Sequence, residues 1–331
     1  MSSVALEEAL ELHRRVPVVD AHCDTLTKLS PDERLASRLP GTHVDLPRLR
    51  EAGVSGQFFA CWISPDHSAH RGLERAAELI DRFYREADAS CGLLVPVTGA
   101  EGVRRCHEEG RVAGILTVEG GDALQGNLAM VSVLHRLGVR SITLTWNHRN
   151  AIADGVADAR TGGGLTSFGV EVVREMTRLG MLIDVSHLSE AGFWDVLAVA
   201  EGPVAATHSN ARAVSDHPRN LTDEQIRALA AGGGVMGLNL APAFLRAEGQ
   251  GAATLDDVLR HIDHVVELVG PDHLGLGLDL DGISSTPEGI EDITGLPLLT
   301  QALLERGYPE ESVAAILGGN FLRLMEEVGM V

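Results

Sequence analysis

Asp20, His22 and Asp24 stand two residues apart at the end of an apolar, β-branched run, VVDAHCDTL over residues 18–26. Side chains alternate faces along a strand, so the three point the same way. A carboxylate, an imidazole and a carboxylate at the end of a buried strand suit a divalent metal such as zinc. One such triplet is a weak signal on its own. It gains weight because the same residue types recur where four other apolar runs end: Glu119 after residues 112–118, His187 after 181–185, His208 after 203–207 and Asp279 after 273–278. Each has a plain alternative. Glu119 could cap a helix, His187 and His208 could be hydrogen-bonded core histidines, and Asp279 could belong to a turn with Gly282. Taken together, those alternatives require the same coincidence at five strand ends.

The elements that must position these groups are eight apolar runs, at residues 18–26, 56–63, 112–118, 139–145, 181–185, 203–207, 234–240 and 273–278, mostly separated by helical patterns. Strands alternating with helices build a parallel sheet. Eight of them in 331 residues predict a closed (β/α)8 barrel of the TIM type, one domain over residues 1–331. An open doubly wound sheet would normally carry a glycine fingerprint after its first strand, where this chain has DAHCDT. In a barrel the C-terminal strand ends share one face, so His22, Asp24, Glu119, His187, His208 and Asp279 converge there. Residues 27–50, with Pro31, Pro40 and Pro47, and the Gly-rich stretch 147–167 read as loops. Cys23 is expected on the opposite side of its strand as a small buried apolar residue. His13, His70, His107, His217, His261 and His264 fall in loops or helices and read as solvated.

Composition narrows the partners. The chain carries 47 acidic against 27 basic residues, a net charge of −20, which repels nucleic-acid backbones and anionic membrane surfaces alike. Its four cysteines show no CxxC spacing, so neither a disulfide framework nor a structural zinc knuckle is indicated. The start, MSSVALEEALELHRRV, lacks a basic segment followed by an apolar one, and no run is apolar enough to span a bilayer. A cytoplasmic location is the resulting expectation.

One carboxylate bridge, one imidazole–carboxylate pair and one imidazole pair make a two-metal arrangement. Two Zn²⁺ ions balanced by Asp24, Glu119 and a bridging hydroxide would lower the pKa of water to about 7 and polarise a carbonyl, chemistry suited to amide hydrolysis.

Ten collinear segments, among them DAHCD (20–24), VEGGD (118–122), ITLTWN (142–147), IDVSHLS (183–189), GPVAATHSN (202–210), HPRNLTDEQI (217–226) and HLGLGLDLDGI (273–283), resemble the membrane dipeptidase (renal dipeptidase) family of binuclear zinc dipeptidases, over nearly the whole chain. The resemblance implies an amidohydrolase-like barrel that hydrolyses dipeptides, including those with a C-terminal D-residue. It implies two Zn²⁺ per chain, with His22 and Asp24 on one, His187 and His208 on the other, and Glu119 between. Arg219 would grip the substrate by charge-assisted hydrogen bonds. Asp279 would handle protons, with Asp281, two residues on, as the second candidate. The family's mammalian members carry a substrate-binding histidine directly after the fourth-strand LTLT run. Here Trp146 stands there, and His148 is the nearest imidazole. That departure motivates the alternative of a related amidohydrolase acting on N-acyl amino acids or another small amide or lactam. The resemblance also implies a homodimer. Its membrane location is not expected to carry over, since the chain shows no signal or lipid-anchor segment.

Overall fold

A computed structural model describes residues 5–68, 70–247, 249 and 251–331; the first four residues of the acidic start lie outside them. Nine strands form one all-parallel sheet: β1 (Val19–Cys23), β2 (Gly56–Trp62), β3 (Leu94–Pro96), β4 (Val112–Glu119), β5 (Val139–Thr143), β6 (Leu182–Asp184), β7 (Ala205–Ser209), β8 (Val235–Leu238) and β9 (Leu274–Leu276). β1 pairs with both β2 and β9, and β2 pairs with β4, so eight strands close into a barrel as expected. The ninth, β3, is an addition. Only the C-terminal half of β4 pairs with β5, from Leu116 onward, and β3 takes that edge of the buried N-terminal half at Val112, Ala113 and Gly114.

The barrel interior changes character along its axis. At its N-terminal end Val19, Phe58, Ile115, Leu182, Ala205 and Val235 form an apolar plug with Phe321 and Met325 of the C-terminal helix Asn320–Val328. Further up, buried polar side chains are stitched to one another. Asp20 accepts from Leu278 N (2.8 Å) and from Gln57 Nε2 (2.8 Å), which ties β1 to β2 and to the chain beyond β9. Close backbone approach is bought by glycine: a Cβ at Gly277 would stand 1.6 Å from the Thr207 carbonyl oxygen.

Three expectations are corrected. The stretch 27–50 is not all loop, since Leu46–Glu51 is a helix whose N-cap Asp45 accepts from Arg48 N. Pro47 sits in the first turn of that helix, where its missing N–H costs nothing, rather than in a loop. The Gly-rich stretch 147–167 contains a 3₁₀ segment, Val156–Thr161. His13 and His261 are buried rather than solvated. Each uses both ring nitrogens: His13 with the Ala52 carbonyl (2.6 Å) and Thr300 Oγ1 (2.7 Å), His261 with Ala211 N (3.2 Å) and the Leu245 carbonyl (3.1 Å). Helical periodicity sees a polar residue on an apolar face and cannot see the partners that satisfy it.

His261, in helix Leu255–Val269, accepts the Ala211 N–H at Nδ1, so Nε2 carries the proton given to Leu245. A second proton would break the first bond. Burial, together with the Arg260 charge, accordingly lowers His261 to about 4 from its ordinary 6.5. The unfolded chain therefore binds more protons between those values. The stability His261 contributes is complete above pH 6.5 and is lost as pH falls toward 4. Urea unfolding at pH 7.5 and pH 5 is expected to show a loss of about 1–2 kcal/mol from this residue. His261→Gln, which can still accept and donate, should remove that share of the slope; an unchanged slope would refute the assignment.

Candidate active site

Because every strand is parallel, the C-terminal ends open on one rim, and the side chains found there come from most of the barrel. His22 lies in β1 and Asp24 follows it; Glu119 ends β4; His208 lies in β7; His187 and Asp279 stand three residues beyond β6 and β9. His187 and Asp279 hold φ of 65° and 59°, a left-handed conformation that turns their side chains independently of strand alternation.

Glu119 is the centre of the cluster. Its Oε2 is 3.6 Å from His22 Nε2, while its Oε1 is 3.0 Å from His187 Nε2 and 3.6 Å from His208 Nε2. Each carboxylate oxygen thus faces a separate set. On one side His22 Nε2 also lies 3.3 Å from Asp24 Oδ2 and 3.9 Å from Asp279 Oδ1. On the other, the two Nε2 atoms of His187 and His208 are 2.9 Å apart. Such separations are those of ligands that share an ion about 2.0–2.2 Å from each.

The donor chemistry fits that ion. Asp24 Oδ1 is buried with no hydrogen-bond partner. Burial opposes a charge on His22, yet the Glu119, Asp24 and Asp279 carboxylates outweigh it and raise the imidazole to about 10. Burial, then Asp24, pushes Glu119 well above the usual carboxylate range. His187 and His208 are held well below 6.5 by burial and by the positive charges of His22 and Arg219, so they face the site as neutral imidazoles. Crowded carboxylates that raise the His22 imidazole and one another, beside two neutral imidazole nitrogens, make a place for cations. Gly282 belongs to the same design: a Cβ there would meet both Asp24 Oδ2 and Asp279 Oδ1 at 2.3 Å.

Above the cluster is a cavity of about 540 Å³. Arg219 enters it fully buried. Its Nη2 donates to the His208 carbonyl (3.1 Å), its guanidinium lies 5.4 Å over the Phe244 ring, and its Nε has no partner. Among the described residues no carboxylate forms an ion pair with it. Asp279 has Oδ2 held by Asn239 Nδ2 (2.8 Å), and burial with the neighbouring Asp24 raises it to about 6. Trp146 lines the cavity with its ring 6.0 Å from His187 and 5.4 Å, edge to face, from Trp62.

Two candidates stand apart from the Glu119 cluster. His148 lines the cavity at its rim, 66% exposed and 3.6 Å from Asp158. Asp281 is turned aside: its carboxylate accepts from Thr25 Oγ1 (2.6 Å) and His43 N (2.6 Å). Its expected alignment with Asp279 assumed an extended strand, and both residues instead have positive φ. Cys23 is buried as expected, with its thiol pushed well up by burial. Trp62, Asn239 and Phe244 are not among the expected site residues, and His217, expected to be solvated, is half-buried and lines the cavity. Trp62 ends β2 and Asn239 follows β8, so the strand-end rule that found the other groups would have found these two had it been applied to every strand. His217, in a loop, and Phe244, in the short helix Pro242–Leu245, stack at 4.5 Å, where no strand pattern places them.

Comparison with known proteins agrees with this geometry. A family model for membrane dipeptidases, peptidase family M19, matches residues 6–331. The structure of dipeptidase AC, a metallopeptidase of family M19, is 36% identical, covers 95% of this chain and 98% of that one, and superposes with a TM-score of 0.89. A metallopeptidase from Rhodobacter sphaeroides, solved with a phosphinate mimic of the dipeptide L-Ala-D-Ala, is also 36% identical, at 95% and 99% coverage and a TM-score of 0.87. An amidohydrolase from Pseudomonas aeruginosa shares the fold at 24% identity, 97% and 98% coverage and a TM-score of 0.84. With the family match spanning the barrel and every strand end that carries the cluster, this chain belongs to the membrane dipeptidase family, peptidase family M19, and is a metal-dependent dipeptidase.

Proposed function

We propose that the chain hydrolyses dipeptides with two Zn²⁺ ions, His22 and Asp24 holding one, His187 and His208 the other, and Glu119 shared between them. The observation that carries this reading is the division of the Glu119 carboxylate, with Oε2 toward His22 and Oε1 toward the imidazole pair. When bound, the ions would polarise the scissile carbonyl and make water a competent nucleophile near neutral pH.

The chain's own residues supply the rest. Arg219 is a buried cation with no ion-pair partner among the described residues, the Asp279, Glu119 and Asp184 carboxylates acting on it only from a distance, an arrangement that favours an arriving anion. The free C-terminal carboxylate of a dipeptide would meet it through charge-assisted hydrogen bonds. A longer peptide has an amide at that distance from the scissile bond, so Arg219 also limits substrate length. Asp279 presents Oδ1 to the cluster while Asn239 holds Oδ2. It would take a proton from the attacking water as the new C–O bond forms. It would then give that proton to the leaving nitrogen as the C–N bond breaks, returning to carboxylate with two free amino acids as products. Trp62 and Trp146 wall one side of the cavity and exclude bulk water from the reacting centre.

The decisive experiment is hydrolysis of a dipeptide library by metal-stripped protein with and without added zinc. Turnover restored by zinc is expected, with L-Ala-D-Ala a natural first substrate given the ligand of the Rhodobacter sphaeroides relative. Inactivity on every dipeptide, alongside turnover of N-acyl amino acids, would reverse the reading in favour of the other amidohydrolase activity. Glu119→Gln is expected to lower kcat by about 100-fold or more, because it removes the shared ligand; full turnover by that variant would exclude the shared role. Arg219→Met should raise KM about 10- to 100-fold for free dipeptides and erase the preference for them over their C-terminal amides. An Arg219→Met enzyme that keeps that preference would place the carboxylate elsewhere.

A further inference from the structure

A buried hydrogen-bond chain behind the imidazole pair is not used by any step above. Thr207, the residue before His208, places its Oγ1 2.6 Å from Asp184 Oδ2 and 2.8 Å from His208 Nδ1. Asp184, at the end of β6, is completely buried. Its Oδ2 also accepts from Thr143 Oγ1 of β5 (2.6 Å), and its Oδ1 accepts from Thr207 N (2.9 Å) and Ser186 N (3.0 Å). The carboxylate therefore has donors on both oxygens from the two neighbouring strands, β5 and β7, and the turn beyond β6.

The proton positions follow by elimination. A threonine hydroxyl has one proton. Given to Asp184 Oδ2, it leaves only a lone pair for His208, so His208 Nδ1 must carry a hydrogen and donate it. A neutral imidazole protonated at Nδ1 is bare at Nε2. His187 is handled in parallel, its Nδ1 lying 2.7 Å from Asn147 Oδ1. Both Nε2 atoms then face each other as acceptors at 2.9 Å, an approach that only a shared cation or an added proton relieves.

We infer that Asp184, acting through Thr207, is a positioning residue that sets the tautomer and ring angle of His208, and so governs the affinity of the ion held by the imidazole pair and not that of the ion held by His22 and Asp24. The inference rests on the two-metal reading of the site. Partners of this kind fix ligand orientation and basicity, and their loss weakens metal binding about 10- to 100-fold.

Thr207→Val keeps the β-branched shape and removes the hydroxyl; Thr207→Ser keeps the hydroxyl. Zinc binding to the stripped full chain, measured by competition with a chromophoric chelator, is expected to show two tight ions in the parent and in Thr207→Ser. In Thr207→Val one ion should remain tight and the other weaken about 10- to 100-fold. Two-bond ¹H–¹⁵N NMR of the zinc-loaded parent should find the His208 proton on Nδ1. A Thr207→Val protein that binds both ions as the parent does overturns the inference while leaving the metal site standing. Equal weakening of both ions in Thr207→Val, or a His208 proton on Nε2 in the parent, overturns it too. A parent chain that binds no zinc removes the metal reading itself. If Thr207→Val does not fold, the NMR measurement on the parent still decides.

Discussion

Glu119 between two groups of imidazoles is the contact on which the rest of the molecule depends. It brings a carboxylate, buried on all sides, within 3.6 Å of His22, His187 and His208 at once. Such crowding of acceptors is unfavourable in a low-dielectric interior unless cations compensate it. The barrel pays that cost elsewhere: a large apolar core, a plug of Phe58, Ile115 and Phe321 at the far end, and continuous strand pairing around the closed sheet.

The polar middle layer mediates between these two ends. Asp20, Gln57, Thr143, Asp184 and Thr207 are fully or almost fully buried, yet the carboxylates, the hydroxyls and Gln57 Nε2 are engaged by one another and by strand backbone. An apolar layer in their place would pack as well but would not hold imidazole rings at chosen angles. Gly277 and Gly237, each with the Thr207 carbonyl where a Cβ would be, let β7, β8 and the chain after β9 approach closely enough for that layer to close. The left-handed turns at His187 and Asp279 then aim the last side chains, conformational strain that the surrounding hydrogen bonds hold in place.

On the substrate side the cavity is asymmetric. One wall is cationic and amphipathic, Arg219 over Phe244, with His217 against the same ring. Another is aromatic, Trp62 against Trp146. A small zwitterion matches those walls, in keeping with dipeptide hydrolysis as the family's chemistry.

How much of this was legible in the chain follows from which interactions are local. The strand periodicity, the helical stripes and the rule that parallel strands end on one face were enough to name the barrel and to bring His22, Asp24, Glu119, His187, His208 and Asp279 to one rim, because each depends on a short stretch of residues. Ten matched segments then narrowed the chemistry to dipeptide hydrolysis. What the sequence could not settle were contacts between residues far apart in the chain. The burial of His13 and His261 is decided by Thr300 and Leu245, and the diversion of Asp281 by His43 and Thr25. The bond from Asp184 through Thr207 to His208 needs two strands in register. Periodicity determines which face a side chain takes; only the folded barrel determines what it meets there.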